Sequence, residues 1–151
     1  MQNEKMDPAG REQRTSVVLE ASLAKVWEVW TKPEHISQWW GPNGFTSTIE
    51  KMDVRPGGEW LFVMHGPDGS NYPNKTLFRE VVKHKRIMHE HVEPNFIAII
   101  DFESQGENRT LLTWYKLYET RELFQLVEIQ YKSSEGLRQT MERLQRYVIT
   151  Q

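Results

Sequence analysis

Two rhythms of apolar and polar positions divide the chain. Residues 14–20 (RTSVVLE) have strand composition centred on Val17 and Val18. After them Leu23, Val26, Trp27 and Trp30 recur at the three-four spacing of one buried helix face, with Ser22 placed to cap it. Pro33 suits the first turn of a second, short helix carrying His35 and Ile36; Trp39-Trp40-Gly41-Pro42 ends it and an Asn43-Gly44 turn follows. From there the period drops to two. Strands are expected over 46–54, 59–65, 76–83, 86–92, 96–104 and 110–119, parted by Pro56-Gly57-Gly58, by Pro67-Asp68-Gly69-Ser70 and by a hairpin loop at 105–109. Leu123, Leu126, Val127 and Tyr131 favour a short helix over 120–131. Ser133-Ser134 then precede a long helix striped by Leu137, Met141, Leu144 and Val148.

Strands gathered in one run with helices set apart from them describe an α+β domain built on an antiparallel sheet. Its span is 14–151, behind a flexible, polar lead-in at 1–13 that lacks the apolar core of a signal peptide.

Charge and composition narrow the chemistry. A formal net charge of -2 argues against a nucleic-acid partner, which requires a basic surplus on one face. No apolar run is long enough for membrane insertion, and the expected location is the cytoplasm. The absence of cysteine excludes disulfides, thiolate nucleophiles and Cys-ligated zinc. Six Trp, six Phe, five Tyr and six Met supply large side chains that can line a pocket as well as fill a core. Gly57-Gly58 has no helix behind it and so is no phosphate cradle, and a Gly-x-Ser-x-Gly elbow is missing.

Several motifs resemble the activator-of-heat-shock-protein-ATPase-like family of the SRPBCC superfamily, which also holds START and birch-pollen-allergen domains. They are Ala24-Lys25-Val26-Trp27, Pro33-Glu34 leading into Trp39-Trp40-Gly41-Pro42, Asp53-Val54-Arg55-Pro56-Gly57-Gly58, and Gly66-Pro67-Asp68-Gly69, with Glu135-Gly136-Leu137 to Leu144 as a weaker fifth. The chain departs from the family at Asn74-Lys75-Thr76-Leu77, where a glycine is usual. The resemblance implies a helix-grip fold: a curved antiparallel sheet wrapped around the long C-terminal helix, with two short helices after the first strand and a deep apolar cavity between sheet and helix. It implies no single activity, because fold leaves function to the site.

Alternation selects the residues that would face such a cavity. Trp60, Phe62 and Met64 form one inward set, Phe78 and Glu80 a second, His89 and His91 a third, and Trp114, Lys116 and Tyr118 a fourth. Trp39 and Trp40 stand either at the cavity mouth or in the packing beneath it, and Leu137 and Met141 form the lid. These residues point to binding of a small apolar molecule (a lipid, fatty acid or aromatic compound) without cofactor or metal. His89 and His91 with Glu80 as metal ligands is the weaker reading of that trio. Two alternatives stand beside ligand binding. One is an enzyme of cyclase or hydrolase type acting on an aromatic or polyketide-like substrate, with Glu80 and His89 exchanging protons. The other is a chaperone-associated interaction module, suggested by the family name; self-association as a homodimer is left open. Lys116 would pair with Glu80 or receive the carboxylate of an acidic ligand.

Overall fold

The computed structural model describes residues 9–151; the first eight residues of the expected lead-in lie outside the described residues. Seven antiparallel strands form one curved sheet in the order β1-β7-β6-β5-β4-β3-β2. They are β1 (Glu12–Leu19), β2 (Thr46–Met52), β3 (Glu59–His65), β4 (Asn71–Val82), β5 (Arg86–His91), β6 (Phe96–Gly106) and β7 (Arg109–Tyr118). Helices α1 (Leu23–Thr31) and α2 (Pro33–Ile36) follow β1, and α3 (Arg121–Tyr131) and α4 (Ser133–Val148) follow β7. This is the α+β architecture expected from the pattern and the helix-grip arrangement implied by the resemblance.

Local chemistry explains the boundaries. Ser22 accepts a hydrogen bond from the Lys25 amide at 3.2 Å, and Thr120 accepts one from the Leu123 amide at 3.0 Å, so each hydroxyl satisfies an orphan donor of its helix. Ser133 and Ser134 prove to be the first helical residues of α4 instead of its cap. The preceding Lys132 adopts a left-handed conformation (φ 51°), and the carboxylate of Glu128 on α3 accepts from the Ser134 amide at 2.9 Å. β4 begins five residues earlier than its apolar run, at Asn71. Pro73 is tolerated there because that end of β4 pairs with β3 alone, Pro73 lying opposite Val63 and β5 joining only from Thr76.

α4 lays Leu137, Met141, Leu144 and Val148 into a core shared with Val26, Trp27, Val29 and Trp30 of α1 and the inner face of the sheet. Leu144 is fully buried. At 1.5–3 kcal/mol per side chain, roughly, this stripe is comparable with a domain's whole net stability.

The Pro56-Gly57-Gly58 turn uses its two glycines for different reasons. Gly57 has φ +84°, with open space where a side chain would stand. Gly58 has no such backbone angle, yet a Cβ there would lie 1.9 Å from the Asp53 carbonyl oxygen. Gly57→Ala should therefore cost about 1 kcal/mol through the left-handed backbone, and Gly58→Ala at least 2–3 kcal/mol by forcing the turn open. Urea unfolding of the two variants checks the ranking; equal losses would contradict it.

Candidate functional site

Cross-strand partners share a face, so the register fixes which side chains look toward α4. One inner row runs Phe78, His89, Ala98, Lys116 and Gln13 across β4, β5, β6, β7 and β1. The neighbouring row runs Trp60, Thr76, His91, Phe96 and Tyr118, and a third runs Val81, Ile87, Ile100, Trp114 and Thr15. Phe62 and Met64 continue the inner face of β3, Phe62 buried and Met64 partly so.

Glu80 is not on that face. The register slips between Phe78 and Glu80, so Phe78 opposes His89 while Glu80 opposes Met88. A β-bulge of this kind adds one residue and inverts every later position. Val81 takes the inner slot beside Ile87, Val82 is 40% exposed, and neighbouring Arg79 pairs with Glu90 at 2.7 Å. Glu80 and His89 thus stand on opposite faces, and neither an acid/base pair nor a Glu80–Lys116 pair is assembled.

Tryptophan rings pack against one another between the inner face of the sheet and the helices. Trp40 stacks on Trp114 at 5.3 Å and meets Trp30, Trp39, Trp60 and Phe62 edge-on. Trp39 is fully buried as packing, its indole donating to the Val29 carbonyl at 3.1 Å. Leu137 and Met141 close the same core from α4. Arg143 of α4 fixes the loop that delivers these rings. Its guanidinium donates to the carbonyls of Trp40, Gly41 and Pro42 at 2.9–3.2 Å and of Gln38 at 3.3 Å.

The polar groups within this apolar shell are unevenly satisfied. His91 contacts the Pro94 carbonyl at 2.8 Å and the Asn74 side-chain oxygen at 2.6 Å, and stacks on Phe96. His89 is 3% exposed, and neither ring nitrogen finds a partner among the described residues. The indole N–H groups of Trp30, Trp60 and Trp114 are likewise without acceptors there. Burial first, then the charges of His91 and Lys116, pushes the His89 ring down to about 3. Lys116 extends its amine between the rings of Phe96 (4.8 Å) and Trp114 (5.6 Å). No carboxylate among the described residues reaches ion-pair distance of it. Desolvation lowers its ammonium to about 8, against a smaller opposing pull from Glu128. Among the described residues no group of three His, Asp or Glu side chains is placed to hold a metal ion.

Beside this row a cleft of about 260 Å³ opens between β1 and the α3–α4 pair, lined by Gln13, Thr15, Phe124, Ser134 and Leu137, with Glu12, Arg14 and Arg138 at its rim. Gln13, the cross-strand neighbour of Lys116, donates to the hydroxyls of Ser133 and Ser134 at 2.9 Å and so ties β1 to the helices.

With the geometry in place, comparison with known proteins becomes informative. A family model described as Activator of Hsp90 ATPase homolog 1-like protein matches residues 20–148. The chain belongs to this family. A search of curated proteins gives no match. Among solved structures, a protein from Nitrosomonas europaea is 26% identical, with TM-score 0.83 over 94% of this chain and 96% of that one. A protein from Arthrobacter aurescens is 22% identical, with TM-score 0.87 over 96% and 90%. The AHSA1-like protein from Aeromonas hydrophila is 18% identical, with TM-score 0.71 over 91% and 93%.

This Activator of Hsp90 ATPase homolog 1-like chain thus carries a row of polar groups inside the family's apolar frame. Gln13, Phe96, Phe124 and Glu128 belong with it although the pattern alone did not single them out. Gln13 fell just outside the expected first strand, Phe96 opens β6 in register with His91 and Tyr118, and Phe124 and Glu128 reach the site through the packing of α3.

Because His89 is buried without a partner, removing its polarity should not destabilise the fold. His89→Leu is expected to be neutral or stabilising at pH 7. The unfolded chain takes up the proton near 6.5 and the folded chain only near 3, so His89 lowers stability progressively as pH falls below 6.5. The variant should therefore lose less stability on acidification, by a slope approaching about 1.4 kcal/mol per pH unit. Denaturant midpoints at pH 7, 6, 5 and 4 read both effects. A variant destabilised at pH 7, with an unchanged acid limb, would contradict them.

Proposed function

We propose that this protein binds a small, largely apolar molecule bearing an oxygen-rich acidic end. What carries the reading is the amine of Lys116, without an ion-pair partner among the described residues, set between two aromatic rings and in one inner row with an unpartnered histidine. Indole N–H groups only donate, a neutral imidazole donates once, and an ammonium donates three times. An interior provided with such groups favours an occupant rich in acceptors. A carboxylate supplies that, and a charge-assisted bond to the partly buried Lys116 fixes its orientation.

The body of the ligand would lie in the cleft against Phe124 and Leu137, with Gln13, the cross-strand neighbour of Lys116, on the same wall. The cleft is smaller than the roughly 300–1,000 Å³ of common ligand sites. A short chain or a single ring suits it unless Trp40 moves. Six buried methylenes contribute about 5 kcal/mol before association costs, enough for weak binding that the ion pair strengthens. With Glu80 on the opposite face, binding rather than acid/base turnover is the function the geometry supports, in a chain we place in the cytoplasm.

Matched hexanoic acid and hexanol test this by calorimetry and thermal shift. The acid should bind at least ten-fold more tightly than the alcohol. Lys116→Met, which keeps the stem and loses the charge, should abolish that preference while still binding the alcohol. Equal affinity of the unaltered protein for both ligands would sink the proposal.

A further inference from the structure

The same amine has a second capability that charge pairing does not use. An amine held away from water among apolar side chains, without a counter-ion, is the arrangement that makes lysine a nucleophile toward carbonyl carbon. Lys116 is partly buried, has the apolar neighbours and lacks an ion-pair partner among the described residues. Phe96 and Trp114 flank its amine, and Ala98 is the only side chain between it and His89 along the inner row. The titratable groups around it are His89 and His91 from β5, Tyr118 from its own strand and Glu128 from α3. Glu128 is engaged by the amide and hydroxyl of Ser134 at the start of α4.

We infer that Lys116 forms a reversible imine with small apolar aldehydes or ketones that enter the proposed ligand site. The neutral amine adds to the carbonyl carbon, forming the C–N bond while the C=O π pair moves to oxygen. A proton passes from nitrogen to that oxygen, giving a carbinolamine. The hydroxyl then departs as water and the second N–H proton is lost, leaving C=N. Amine and carbonyl thus become imine and water, with no oxidant or reductant consumed. Lowering of the ammonium to about 8 supports the step. At pH 7.5 such an amine is about one-quarter neutral, against about one part in a thousand for an ordinary lysine.

The inference rests on the ligand site, so the experiment reads binding and bond formation separately. The full chain is incubated with hexanal and sodium cyanoborohydride, which reduces any imine to a stable secondary amine, and adducts are located by peptide mass mapping. Lys116 should be labelled at least ten-fold faster than the other lysines, with a rate that rises through a midpoint near pH 8. The fast label should vanish in both Lys116→Met and Lys116→Arg, the latter keeping the cation but forming no imine. Labelling spread evenly over surface lysines, or unchanged in Lys116→Arg, overturns the inference. So does a midpoint above pH 10. Hexanoic acid binding with no Lys116 adduct leaves the ligand reading standing and removes the imine alone; no acid binding and no adduct removes both.

Discussion

The interior is organised by where Trp40 sits. This one ring stacks on Trp114 of the sheet, touches Trp30 of α1 and reaches Trp60 and Phe62 of β3, so it fills the gap that sheet curvature leaves beneath α4. A side chain on an irregular segment cannot hold such a position unaided, because a loop buried against a core must satisfy its own backbone carbonyls. Arg143 meets that requirement by donating to the carbonyls around Trp40 from the adjoining turn of α4. The helix that covers the core and the loop that fills it are thus fixed by one guanidinium. Removing it would release three partly buried acceptors together, which costs more than a single lost contact.

Within that frame the charged and uncharged parts of the inner face are kept apart. His91 is hydrogen-bonded and stacked, whereas His89, two residues away on the same strand, has burial and no partner. Gln13 joins β1 to Ser133 and Ser134, and Glu128 holds the start of α4. Lys116 lies between these two environments. Its amine faces aromatic rings on one side and feels a carboxylate only at a distance, and this sets its unusual chemistry.

Much of this was readable from the residues, and the failures have identifiable causes. Period-two alternation placed Trp60, Phe62, His89, Trp114, Lys116 and Tyr118 on one face because β3, β5 and β7 carry those residues without interruption. It failed on β4, where a single inserted residue reversed Glu80, and alternation has no means of registering a bulge. Asn71 to Lys75 reads as loop by composition, yet it pairs because β3 supplies a partner along one side. Arg143 reads as part of a solvated helix face. Its acceptors lie about a hundred residues earlier in the chain, and only the folded structure brings them together. Composition alone does not say whether aromatic side chains line a space or fill it.

The strand order has a consequence for assembly. The pairings β2–β3 through β6–β7 each join neighbours in the chain, so that run can grow one hairpin at a time. β1 alone must find a partner, β7, nearly a hundred residues away, with Leu19 meeting Thr110. Closing that long loop concentrates much of the conformational entropy cost of the sheet in one event. Gln13 arrives with β1, so the wall beside Lys116 is completed only when this distant edge docks. A chain with its sheet otherwise formed would leave that side of the amine uncovered.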